Sequence, residues 1–327
     1  MTPLLQVADL QTHFFTFGGT RVVKAVDRVS FTLHEGETLG LVGESGSGKT
    51  TTCLSIVWLL PRAARIVGGS VVFEGDDLTR KSQRELRRIR GRKIAVILQD
   101  PMASLNPLFT IGRQVAEPAF FHQRLRGHAL RERVQQLLRA VRIPSPEWRM
   151  RDYPHQMSGG MRQRIVGAIA LAGGPSLVIA DEPTTNLDVT IQAQYLDLLK
   201  DIQRETGVAL IFVTHNLGIV AKMCDRVAVM YAGKIVEQAT VRALFDDPRH
   251  PYTRALLGSV PKLGSKAPLY SITGQPPNLA NLPAGCPFHP RCPEVVPRCT
   301  SEEPGDFQLG DGSVARCWLL KDVVTRP

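Results

Sequence analysis

Eight consecutive residues, Gly43-Glu44-Ser45-Gly46-Ser47-Gly48-Lys49-Thr50, fit G-x-x-x-x-G-K-[ST] at every fixed position. The pattern demands a particular setting, a buried strand running into the loop and a helix running out of it. The apolar run Thr38-Leu39-Gly40-Leu41-Val42 reads as the strand, and Thr51-Thr52-Cys53-Leu54-Ser55-Ile56-Val57 reads as the helix. Three glycines let the backbone curl until successive N–H groups face one centre, and the helix N-terminus adds partial positive charge there. A polyphosphate fits such a cradle. Lys49 would reach its β- and γ-phosphates, and the Thr50 hydroxyl would take one position on Mg²⁺.

The remainder of the chain reads as the α/β surroundings that this loop needs. Short alternating runs from residue 4 to 34, broken by Gly18-Gly19, predict antiparallel strands, with Phe14, Phe15 and Phe17 as core residues or as a platform for a purine. Ile94-Ala95-Val96-Ile97-Leu98, Leu177-Val178-Ile179-Ala180 and Ala209-Leu210-Ile211-Phe212-Val213 predict buried strands. Each ends in polar residues: Gln99-Asp100-Pro101, Asp181-Glu182-Pro183 and Thr214-His215-Asn216. A helical, charged stretch runs from Ile111 to about Arg142, and Ile191, Tyr195, Leu198, Leu199 and Ile202 share one face of a further helix. Strands alternating with helices, each strand closing on polar groups, describe a parallel sheet with its ligand at the carboxyl edge. From about Pro261 the composition turns to proline, glycine and cysteine, which reads as a separate C-terminal module.

The strand-end residues supply the missing chemistry. Asp181 is placed to serve Mg²⁺, directly or through its waters. Glu182 after it can polarise an attacking water, the Gln99 amide can meet both metal and water, and His215 can hydrogen-bond a γ-phosphate.

The order GESGSGKT, LQDP, MSGGMRQR, LVIADEPTTNLD, VTHN resembles the nucleotide-binding subunit of ATP-binding cassette (ABC) transporters over residues 4 to about 240. The resemblance implies a P-loop NTPase fold of three parts: a parallel sheet core, an N-terminal antiparallel β subdomain and an inserted helical subdomain at about 103–172. It implies ATP contacts from Gly43, Glu44, Ser45, Gly46, Ser47, Gly48, Lys49, Thr50 and Thr51, with Phe14 stacking on adenine. Thr50, Gln99 and Asp181 would serve Mg²⁺, and Glu182, His215 and Gln99 would carry catalysis. Ser158, Gly159 and Gly160 would bind the γ-phosphate of ATP held by a partner subunit, with Asp188 in the neighbouring loop, so that two subunits sandwich two ATP molecules. Met157 and Met161 stand where Leu and Gln are usual, Asn186 where a small residue is usual, and Asn216 where Asp is usual. This is compatible with a heterodimer of unequal sites.

The segment Arg249-His250-Pro251-Tyr252-Thr253-Arg254-Ala255-Leu256-Leu257 and the cysteine-rich tail narrow the resemblance to ATPase subunits of dipeptide and oligopeptide importers. It implies a nucleotide-binding domain at 1–260 and an extension at 261–327. Implied partners are a second ATPase subunit, two transmembrane permease subunits and an extracytoplasmic solute-binding protein. Related systems carry nickel complexes or sugars.

The importer resemblance implies a peripheral protein at the cytoplasmic face of the inner membrane, and composition by itself places the chain in the cytoplasm. No run of eighteen apolar residues occurs, and Met1-Thr2-Pro3-Leu4-Leu5 lacks the basic and apolar regions of a signal peptide. The formal net charge is +10, and residues 80–93 hold eight Lys or Arg against Glu85 alone. These charges are not interleaved with aromatics as in a single-strand-binding groove. One cassette without a long heptad insertion also argues against a nucleic-acid or ribosome factor, so no nucleic acid is expected. Cys286, Cys292, Cys299 and Cys317 crowd a proline-rich tail with little apolar surface, which asks for a cross-link. A cytoplasmic setting disfavours disulfides, and four thiolates then suggest tetrahedral zinc or an iron-sulfur cluster, with unliganded or oxidised thiols as the remaining alternative. The importer resemblance favours [4Fe-4S], with Zn²⁺ as the alternative. Cys53 and Cys224 read as packed small hydrophobes.

Overall fold

The computed structural model describes residues 2–185, 187–260 and 271–321, so the Asn186 departure lies outside the described residues. The chain forms two compact units. The first comprises residues 1–33, 38–79 and 214–327; the second comprises 34–37 and 80–213.

In the first unit, Leu5–Thr16 pairs antiparallel with both Arg21–Leu33 and Ala64–Phe73, and Asp76–Asp77 closes the edge. The predicted turn at Gly18-Gly19 is a short 3₁₀ segment, Phe17–Gly19. The phosphate-loop strand, Thr38–Val42, is buried at every residue and runs parallel to Arg226–Tyr231. That second strand turns back into Lys234–Thr240, whose other edge takes Val314–Ala315 from the tail. The tail therefore contributes a strand to the sheet that holds the phosphate loop. Its apolar groups go to the same place: Cys286, Phe288 and Cys299 share one core with Val42, Val229, Tyr231 and Tyr252. Phe288 sits edge-on to Tyr231 at 5.2 Å between ring centroids and tilted against Tyr252 at 5.3 Å.

The second unit holds the parallel strands Ile94–Ile97, Leu177–Asp181 and Ala209–Thr214. The first is one residue shorter than its apolar run. Leu98 lies past its end and is 45% exposed, because the chain is already leaving the sheet towards Pro101. The predicted helical segment is two helices, Ile111–His122 and Gly127–Ala140, packed with Gly159–Leu171. Val189–Thr206 carries the expected buried stripe of Tyr195, Leu198, Leu199 and Ile202. Asp188 caps its start and Gly207, at φ +69°, ends it in the left-handed conformation that glycine adopts without strain.

Candidate functional site

In the first unit the loop between Val42 and Lys49 is built around glycines that admit no side chain. A Cβ on Gly43 would stand 2.2 Å from the Met230 carbonyl oxygen, and one on Gly48 would stand 2.3 Å from that of Ala25. Both glycines have positive φ, so backbone shape and lack of space exclude other residues together. Gly48 immediately precedes the helix Lys49–Ile56. Lys49 is buried, and its Nζ donates to the carbonyls of Gly43 at 2.7 Å and Glu44 at 2.9 Å. Its ammonium thus lies folded against the loop it serves. Ser47 N–H donates to Glu44 O, and Gly233 N–H to Ser47 O, tying the loop to the turn after Tyr231. Thr50 is exposed at the helix start, and Thr51 is half-buried.

Glu44 is gripped from two sides. Its N–H donates to Tyr252 Oη at 2.9 Å. Its carboxylate receives both terminal nitrogens of Arg291, at 2.7 and 3.0 Å. Neither Arg291 nor Tyr252 carries a local signal in the sequence that would join it to residue 44. Phe14 is half-buried in its strand, opposite Val23 and Ala64, whereas Phe17 is 77% exposed. His215 is exposed just after Thr214, and Asn216 caps the helix Leu217–Met223 by accepting from Gly218 N–H. The neutral amide performs that capping role as a carboxylate would.

In the second unit Gln99 and Glu182 meet. Gln99 Nε2 donates to Glu182 Oε2 at 3.3 Å, and the Thr185 hydroxyl donates to the same oxygen at 3.0 Å. Asp181, buried, ends its strand beside them in the chain. Glu182 has φ +45°, a left-handed conformation that costs an ordinary residue on the order of 1–3 kcal/mol and that clusters at functional positions. Its backbone N–H is fixed on Val213 O at 3.0 Å.

The Ser-Gly-Gly segment opens the helix Gly159–Leu171, where Ser158 Oγ accepts from Met161 N–H at 3.3 Å. Ser158 and Gly159 are exposed at this N-terminus, with open space around the Gly159 Cα. A Cβ on Gly160 would stand 2.6 Å from Ile191 Cγ2. Met157 is buried and fills a core position in the manner of leucine, so that departure costs little. Asp188 Oδ1 accepts from Ile191 N–H at 3.0 Å.

The four tail cysteines line one cavity, with Phe288, His289 and Trp318 among the other walls. All carry free thiols. Burial, and then the neighbouring thiols, push Cys317 up to about 12; burial is also the main cause that pushes Cys286 up to about 11. Among the described residues no group of three or more His, Cys, Asp or Glu is arranged to hold a metal ion. Cys53 is buried, and Cys224 Sγ packs where a Cβ on Gly40 would lie, at 2.9 Å. No helix among the described residues is long and apolar enough to cross a membrane.

Comparison with known proteins bears on the whole chain. Residues 26–185 match the ABC transporter family, and residues 236–299 match the oligopeptide/dipeptide transporter C-terminal region. A probable peptide ABC transporter ATP-binding protein of Sinorhizobium fredii is 50% identical over 98% of this chain and 96% of its own length. The dipeptide transport ATP-binding protein DppD of Bacillus subtilis is 50% identical over 98% of this chain and 95% of its own. Among solved structures, a dimeric ATP-binding cassette in a post-hydrolysis state with ADP and Pi superposes with a TM-score of 0.65 at 27% identity, covering 73% of this chain and 99% of that one. The motif order, the loop geometry and these matches agree: the chain belongs to the ATP-binding subunits of ABC transporters, in the group that carries the oligopeptide/dipeptide transporter C-terminal region.

Proposed function

We propose that this ABC ATPase drives the import of dipeptides or oligopeptides, working with a second ATPase subunit, two permease subunits and an extracytoplasmic binding protein at the cytoplasmic face of the inner membrane. The observation that carries this reading is the pairing of an ABC cassette with the oligopeptide/dipeptide C-terminal region in one chain. Relatives named for peptide transport match 98% of its length. Lys49 and the loop N–H groups bind the phosphates, Thr50, Gln99 and Asp181 offer Mg²⁺ the oxygen donors it takes, and Phe14 stacks on adenine. Glu182, oriented by Thr185 and Gln99, accepts the proton of the attacking water, and His215 steadies the γ-phosphate. Ser158, Gly159 and Gly160 present a helix N-terminus to ATP held by the partner subunit, with Asp188 beside them. Closure of the pair around ATP is what the permeases convert into movement.

The test is reconstitution of the complex in vesicles with its binding protein. Peptide-loaded binding protein should stimulate ATP hydrolysis and peptide uptake. Stimulation by nickel complexes or oligosaccharides alone would replace the substrate class, and fractionation with nucleic acid rather than membrane would overturn the transport reading.

The cysteine tail is read as the seat of a [4Fe-4S] cluster held by Cys286, Cys292, Cys299 and Cys317. What supports it is that four thiols line one cavity, the number of thiolates such a cluster takes. Such a group would supply a cross-link for the proline-rich loops and a one-electron couple. Anaerobically prepared protein should contain about four irons per chain and absorb broadly in the visible. Colourless protein with one zinc would select the alternative.

A further inference from the structure

We infer that Arg291 is a positioning residue of the nucleotide site, holding the phosphate loop in its binding shape and neutralising a carboxylate that the loop itself carries beside the phosphates. This rests on the reading of the loop as the ATP site and adds to it a residue from the cysteine-rich tail.

Glu44 occupies a position where the loop motif sets no requirement, yet it is anchored through its N–H, its carbonyl and its carboxylate alike. Its N–H is taken by Tyr252, its carbonyl receives Lys49 Nζ and Ser47 N–H, and its carboxylate is held bidentately by Arg291. Arg291 is itself pinned. Its Nε donates to Thr273 O at 3.0 Å, its side chain is 4% exposed, and the guanidinium lies 5.8 Å from the centre of the Tyr231 ring. A Cβ on Gly274 would come 3.4 Å from Arg291 Cγ, so the stem is packed as well. A bidentate arginine-carboxylate pair fixes direction as well as distance, which a lysine cannot do.

The charge matters as much as the shape. A polyphosphate is strongly anionic, and a carboxylate in the loop that cradles it opposes binding unless a cation cancels it. Arg291 is that cation. Removing it leaves the Glu44 carboxylate without its bidentate partner and adds an uncancelled negative charge to the loop that binds phosphate. Two consequences are separable: loss of the grip loosens the loop, and loss of the charge repels the ligand.

The experiment measures equilibrium binding of ATP and ADP to the full chain, with amide hydrogen exchange at residues 44–47 in the absence of nucleotide. Arg291→Ala should weaken both nucleotides by roughly 5- to 150-fold, the range of ordinary coupling between sites, and should speed exchange at Glu44. Adding Glu44→Gln to Arg291→Ala should recover a large part of the lost affinity, because it removes the uncancelled charge. A tail that merely unfolds when Arg291 is lost would show no such recovery. Arg291→Lys should fall between, keeping charge without the fork, and carries the test if the alanine variant does not fold. Nucleotide affinity within twofold of wild type in both Arg291 variants, or no recovery from Glu44→Gln, overturns the inference. Lys49→Ala serves as the reference. If wild type and Lys49→Ala bind nucleotide equally, the site reading fails instead, and the two failures are told apart.

Discussion

Glu182→Gln tests the carboxylate at the centre of the proposed mechanism. The substitution preserves the side chain's length and its left-handed backbone. Gln99 Nε2 and Thr185 Oγ1 both donate to one oxygen of Glu182, so a glutamine that turns its carbonyl oxygen to that point keeps both contacts. What changes is the acceptor's charge. A hydrogen bond to a charged group contributes about 1.5–3 kcal/mol and a neutral one about 0.5–1.5. The 3.0 Å Thr185 bond therefore weakens by about 1 kcal/mol and the longer Gln99 bond by less, leaving the fold intact. The chemical step loses its proton acceptor, which is worth about 10²- to 10⁴-fold, or about 3–5 kcal/mol of barrier. The assay is multiple-turnover phosphate release by the assembled complex, with the partner's equivalent site silenced, beside equilibrium ATP binding. ATP affinity should stay within a few-fold of wild type while turnover falls at least a hundredfold. Turnover within tenfold of wild type would refute the role given to Glu182.

Three further outcomes follow from the geometry. Lys49→Ala should weaken nucleotide binding itself, because it removes the buried ammonium beside the loop, and direct titration reads this independently of turnover. Phe288→Ala should destabilise the first unit by about 3–5 kcal/mol, since it empties a fully buried site between Tyr231 and Tyr252; a denaturant midpoint unchanged at equal slope would contradict that packing. His250 is depressed to about 3, chiefly by burial and then by Arg254, so folding keeps it neutral while the unfolded chain takes up a proton below pH 6.5. Its share of stability is present above pH 6.5 and is lost as pH falls towards 3, at up to about 1.4 kcal/mol per unit. His250→Asn keeps an acceptor for Tyr252 N–H and should flatten the acid slope. Burial raises the Glu237 carboxyl and so acts in the opposite sense, but it is common to both proteins and cancels in the comparison.

Much of this was legible because it is local. The loop, its flanking strand and helix and the stripe from Tyr195 to Ile202 depend on neighbours within a few residues, and local pattern records them. Leu98 shows where pattern overshoots: an apolar residue extends the run, but hydropathy alone does not show that the chain has left the sheet. Glu182 shows another limit. The residue before a proline is ordinarily driven to extended backbone, yet here it stands at φ +45°, imposed by its surroundings. The pairing of Glu44 with Arg291 was invisible for a different reason. Charge and spacing identify each residue's type, but nothing in a linear pattern says which of forty basic residues closes on residue 44.

That pairing spans 247 positions of sequence. During synthesis at about 5–20 residues per second, the loop exists for about 12–50 s before its arginine has even been made. Through that interval a nascent chain already carries every residue of the phosphate-loop motif, but with the Glu44 carboxylate uncancelled. On the inference drawn above, the loop then reaches its full affinity for nucleotide only once the tail has emerged from the ribosome. Proteins truncated before residue 291 would carry the same uncancelled carboxylate for good.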